Sequence, residues 1–167
     1  MMNSRRLLLA GGIALAILGM SYGLWYAVFA EHQALDGIGG SLTSSFQAAA
    51  ARDATGAENS LLQYRRAKYA YDRQVDVHGH WIGLAMLLIV LGVGFDHVGL
   101  AEKWKRLLVW TLLPGSALFP LGVLMQTWMQ GSFPKAVAVA GSVMVIAALA
   151  AVILGVLRWP GVSSPQH

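Results

Sequence analysis

The chain has 167 residues, 56% of them hydrophobic and 12% charged, with a net charge of +4 and no cysteine. A soluble domain carries about 25% charged residues, so this composition argues against a fold surrounded by water. The missing cysteine removes disulfides, thiolate metal sites, iron–sulfur clusters and cysteine nucleophiles.

Four stretches, 7–30, 77–95, 107–134 and 136–157, contain no Lys, Arg, Asp or Glu. Each is long enough to cross a bilayer as a helix, which takes about 20 residues at about 1.5 Å rise. Hydrocarbon offers nothing to pair with N–H and C=O groups, so a spanning segment is a helix or part of a closed barrel. The runs lack the alternation of barrel strands and are too long for them. The sequence therefore predicts an all-α, integral membrane four-helix bundle, a single transmembrane domain over 1–167. Its spans are about 6–31, 77–96, 105–130 and 135–158, with a helical periplasmic extension over 36–76 between the first two.

In the first span, Gly19 and Gly23 stand four apart and permit close helix contact. Arg5-Arg6 before an apolar run that ends Val28-Phe29-Ala30 also fits a secretory signal. The run is too long for a signal core, and Tyr22, Trp25 and Tyr26 fit an interfacial aromatic belt, so an uncleaved helix is expected. Residues 36–43 are rich in breakers and predict a flexible joint. Residues 44–55 are helix-prone, and Gly56 interrupts them. From there Leu61, Tyr64, Tyr71, Val75, His78 and Ile82 share one helical face. A second helix is expected to start outside the membrane near 58 and run unbroken to about 95. The 44–55 segment would fold back on it, the alternative being a mobile loop. Tyr64, Tyr69 and Tyr71, with Arg65, Arg66, Lys68 and Arg73, form either a solvated amphipathic surface or a docking face for a partner.

A polar turn leads to a third helix, about 102–130, in which Pro114 and Pro120 are expected to bend the axis and open space. Gln126, Thr127, Trp128 and Gln130 close its end. The fourth helix is apolar scaffold, anchored by Arg158 and Trp159 and stopped by Pro160. Arg5, Arg6, Lys103, Lys105, Arg106 and Arg158 fall with Asp96 and Glu102 on one side, which carries the whole +4. Basic groups are as numerous on the other side but matched by acids. Those near helix ends and in short loops weigh most. Both termini and the 96–106 turn are therefore expected in the cytoplasm and 32–76 outside, in a bacterial-type inner membrane. This placement argues against nucleic acid. The expected partners are the lipid bilayer and other membrane subunits or further copies of the chain.

His32, His78 and His80 gather at the outer ends of the first two spans. An ionisable group at this boundary is costly unless paired or used, and neutral imidazole ligates haem iron, copper or zinc. Residues two apart on a helix point about 200° apart, so His78 and His80 serve different partners. His32 could approach one of them. Met125 and Met129 could add soft ligands, and the Asp76 carboxylate could orient an imidazole. The plainer alternative is that each histidine bonds backbone or headgroups and each methionine only packs. There is no Walker or Rossmann glycine pattern, no HExxH and no carboxylate at mid-span, which leaves no signature of nucleotide binding, zinc proteolysis or ion-coupled transport.

Val77-His78-Gly79-His80-Trp81-Ile82-Gly83-Leu84, opening a membrane helix, resembles the His-x-His helix of haem–copper oxidase and nitric oxide reductase catalytic subunits. It is also similar to small, functionally unassigned four-helix membrane proteins whose first helix ends like Gly19-Met20-Ser21-Tyr22-Gly23-Leu24-Trp25-Tyr26. The resemblance covers the first two helices and implies His78 and His80 as ligands of haem b or copper. The oxidases have many more spans and further histidines on other helices, so a complete oxidase site is excluded. The implied function is a haem- or copper-binding redox or accessory subunit with no enzymatic activity of its own. The alternative is a structural or assembly subunit with no cofactor.

Overall fold

The computed structural model describes residues 3–129 and 131–158. The described residues form α1 (Ser4–Phe29), α2 (Glu31–Ala50), α3 (Ala54–Gly94), a 3₁₀ turn (Phe95–His97), α4 (Glu102–Met125) and α5 (Ser132–Leu157), with no strand among them. The fold is all-α. Four helices, α1, α3 with its 3₁₀ turn, α4 and α5, are long and apolar enough to cross a membrane.

Three of these helices, α1, α3 and α5, bury a stripe at steps of three and four, while α4 is buried more broadly. On α1 the stripe is Leu8, Gly12, Leu15 and Gly19; on α3 it is Val77, Trp81, Ala85, Leu88 and Gly92; on α5 it is Ala138, Gly141, Val145, Ala148 and Val152. Such a stripe is the seam of near-parallel helix packing, and small residues in it let backbones approach. α1 runs antiparallel to α3, with Gly12 against Ala85 and Ile89 and Gly19 against Trp81 and Ile82. α4 pairs with α5 in the same way, Gly122 against the main chain of Ala138 and Gly141 against that of Phe119. The opposite faces stay bare: Leu24 is 69% exposed, Val90 65% and Ile146 64%. Exposed aliphatic surface on this scale marks contact with something apolar.

Polar contacts close one end of the bundle. The Ser4 hydroxyl donates to Glu102 at 2.7 Å, Arg5 pairs with Asp96 at 3.0 Å, and the Gly99 N–H donates to the Gly155 carbonyl at 2.9 Å. The start of α1, the end of α3, the start of α4 and the end of α5 therefore meet there.

The extension departs from expectation. Residues 36–43 are not a joint but the middle of α2, which begins at Glu31 after a break at Ala30. Gly37, Gly39 and Gly40 face open space, while Glu31, Ala34, Ile38, Ser41, Ser45 and Ala48 turn towards α3. Packing along that face outweighs the weak helix propensity of the glycines. The chain reverses at 51–53, before Gly56. Arg52 adopts φ 59°, its N–H bonds the Ala49 carbonyl, and the Asp53 N–H bonds that of Ala48. These two bonds form a Schellman cap on α2. Asp53 then caps α3, accepting from the Gly56 N–H at 2.9 Å. As expected, the chain folds back on a helix that continues unbroken through the second span, but the returning segment is the whole of α2 rather than 44–55, and α3 starts at Ala54 rather than near 58. α3 is about 60 Å long at 1.5 Å per residue, about twice the hydrocarbon thickness.

α4 stays helical through Pro114 and Pro120 but ends at Met125, not 130. Gln126 and Thr127 turn their side chains back to the Gly122 and Leu124 carbonyls, which ends the helix in a turn. The roles expected of Gln130, Trp159 and Pro160 lie outside the described residues.

Candidate functional site

The histidine-bearing part of α3 begins where its partner changes from α2 to α1. Val77 and Trp81 point inwards and are buried. His78, one position on, turns to α1. Its Nδ1 lies 2.9 Å from the Gly19 carbonyl oxygen. A side chain at Gly23 would run into the imidazole ring, so the absence of a Cβ there makes the seat for His78. His80 turns to α4, and its ring meets Phe119 edge-on at 4.7 Å between centroids. The two histidines thus occupy different faces, as their spacing requires.

The Nδ1 of His80 lies 2.6 Å from the main-chain oxygen of Asp76. A carbonyl oxygen only accepts, so Nδ1 carries the hydrogen on both rings. In the neutral form each Nε2 then holds the lone pair, the state required of a metal ligand. The orienting group on His80 is the Asp76 carbonyl, not its carboxylate, which lies 3.7 Å from Arg73.

His80 opens on a groove of about 490 Å³ lined by Val75, Asp76, Gly79, Gly83, Leu84 and Phe119. Nothing stands within 4 Å of where a Cβ would project at Gly79 or Gly83. At these two glycines α3 is therefore flat and open among the described residues. Pro120, buried, follows Phe119 on the opposite wall.

The remaining candidates lie apart from this groove. His32 sits on α2, its Nε2 3.8 Å from Asp36 and its side chain 90% exposed. Met125 ends α4. Met129 shares a smaller cavity with Tyr69, Gln126, Gly131 and Lys135, about 16 Å along α3 from His80. Among the described residues, no three of His, Asp and Glu converge where a metal ion could be held.

The aromatic cluster beside His78 was only partly legible. Trp25 is exposed, as a belt residue should be, but Tyr26 is buried in the α1/α3 seam. Tyr22 meets Trp81 edge-on at 5.3 Å and lies near Tyr26, which neighbours Tyr71. Tyr22 and Tyr26, expected in an interfacial belt, continue the line of Gly19 and Gly23 at steps of three and four, the signal that could have placed them in the seam.

No family model, curated protein or solved structure matches this chain.

Proposed function

We propose that this chain is an integral membrane protein that carries a b-type haem or copper at the outer end of α3, as a redox or accessory subunit of a larger assembly. The observation that carries this reading is His80, with its Nδ1 engaged by the Asp76 carbonyl and its ring on the wall of an open apolar groove. The donor set fits haem better than copper. A haem brings four nitrogens and needs only one or two axial ligands, and the flat Gly79/Gly83 face suits a planar ring. A bare copper ion needs several protein donors, and no cluster of His, Asp and Glu supplies them among the described residues. His80 would hold the haem iron, while His78 lies in the α1/α3 seam with its Nδ1 on the Gly19 carbonyl. The basic groups gathered at the Ser4 and Arg158 end favour that end as cytoplasmic and the α2/α3 hairpin as periplasmic.

The test is an absorption spectrum of the detergent-purified protein before and after addition of haem b, with metal analysis. A Soret band that His80→Ala abolishes at unchanged thermal stability is the expected result. His78→Ala should instead lower stability by about 1 to 2 kcal/mol, with the band retained. Absence of any band or stoichiometric copper in the folded protein would overturn the reading.

A second reading, an assembly subunit without a cofactor, is favoured by the extension. α2 has no buried residue, and Leu35 and Phe46 stand 46% and 69% exposed beyond the spans. A colourless, metal-free protein that co-purifies with a partner would support it.

A further inference from the structure

We infer that the end of the bundle opposite the histidines holds a specific site for one anionic phospholipid, in the groove between the start of α4 and the end of α5. The groove is about 450 Å³ and has two unlike parts. Leu100, Leu108, Ala151 and Leu154 make an apolar bed, and Trp104 and Arg158 stand at its rim. Arg158 is the cation in the lining, and Lys103, Lys105 and Arg106 follow Glu102 at the start of α4, with Lys105 over the Phe95 ring at 6.0 Å. Asp96 pairs with Arg5, and Glu102 accepts from the Ser4 hydroxyl. Among the described residues no carboxylate lies within ion-pair distance of Lys103, Lys105, Arg106 or Arg158. Lys103 instead lies over the Trp104 ring, 5.8 Å from its centroid.

Charge complementarity selects the occupant. A free phosphate would satisfy the rim and leave the bed bare, and a zwitterionic lipid would fill the bed and leave the excess positive charge. A phospholipid with a net negative headgroup satisfies both, its acyl chain along Leu108 and Ala151 and its phosphate at Arg158 with Trp104 beside the glycerol. Basic pockets between membrane helices take such headgroups. The site rests on the bilayer placement proposed above and is independent of the haem.

The full chain is reconstituted into phosphatidylcholine nanodiscs, and phosphatidylglycerol is titrated in, with bound lipid read by native mass spectrometry. One phosphatidylglycerol should be retained with at least about tenfold preference over phosphatidylcholine. Arg158→Gln should weaken retention about fivefold, the effect of one charge near the surface. Lys135→Gln, which removes the same charge at the other end, should leave it unchanged. Ala151→Trp, filling the bed, should weaken it with the rim intact, and glycerol phosphate alone should not compete. Equal retention of both lipids, equal effects of the two charge variants, or full competition by glycerol phosphate would each overturn the site. Failure to enter phosphatidylcholine discs at all would overturn the bilayer placement beneath it, a distinct result.

Discussion

Single glycines in this chain do opposite things, and neighbours decide which. A Cβ on Gly122 would press on the main chain of Ala138, which has no flexible end to move aside. Gly122→Ala should therefore destabilise by about 1 to 3 kcal/mol, the usual cost of overpacking. Gly39 sits in helical backbone, and a Cβ there would project into open space. Gly39→Ala should stabilise α2 by about 0.5 to 1 kcal/mol, because alanine loses less backbone freedom on folding. Thermal unfolding in detergent measures both, and equal shifts would contradict the packing account. The sequence shows which glycines share a helical face but not which of them meet backbone. His80 is similar: its spacing from His78 made opposite faces legible, whereas the Asp76 carbonyl that sets its tautomer appears only once α3 is built.

The reversal between α2 and α3 is a compact piece of backbone chemistry. Arg52 holds a left-handed conformation that costs a residue with a Cβ about 1 to 2 kcal/mol. Arg52→Gly should recover about 1 kcal/mol. Asp53→Ala, which removes the acceptor for the Gly56 N–H, should lose about 1 kcal/mol. Hydrogen exchange of the first turn of α3 reports each change, and faster exchange in Arg52→Gly would contradict the assignment. The asparagine or glycine that advertises such a cap is absent at position 52, and the next glycine, Gly56, lies four residues further on. Asp53 ahead of a helical face was the usable signal. The spans needed no such detail, since absent charge over a bilayer's thickness constrains the backbone by itself. The 36–43 stretch is helical because the α3 surface that receives α2 outweighs its local propensity, and that surface is not legible in the stretch itself.

The molecule divides into a bundle with bare apolar flanks and a hairpin that continues beyond it. Where the two join, the Tyr71 hydroxyl donates to Glu31 at 3.3 Å. Desolvation, then the hydrogen bond and charge of Glu31, raise its pKa above the ordinary value of about 10. A tyrosine whose folded pKa is raised contributes its stabilisation below the unfolded pKa and loses it as pH climbs through the folded one. The α2 docking should therefore hold to about pH 10 and loosen above it. Because the chain has no cysteine, spin labels on Gly37→Cys and Arg65→Cys report the separation cleanly. The distance should broaden above pH 10, and Tyr71→Phe should remove that dependence.

α3 has no interior break from Ala54 to Gly94, so its tip and its histidine rim are mechanically one shaft. A helix of this kind resists twisting along its length. Any grip on the far end that rolls the shaft also rolls the imidazole at position 80 against its aromatic stop on α4. A turn imposed at the Ala54 end would thus bear on the groove beside that ring without any loop having to move.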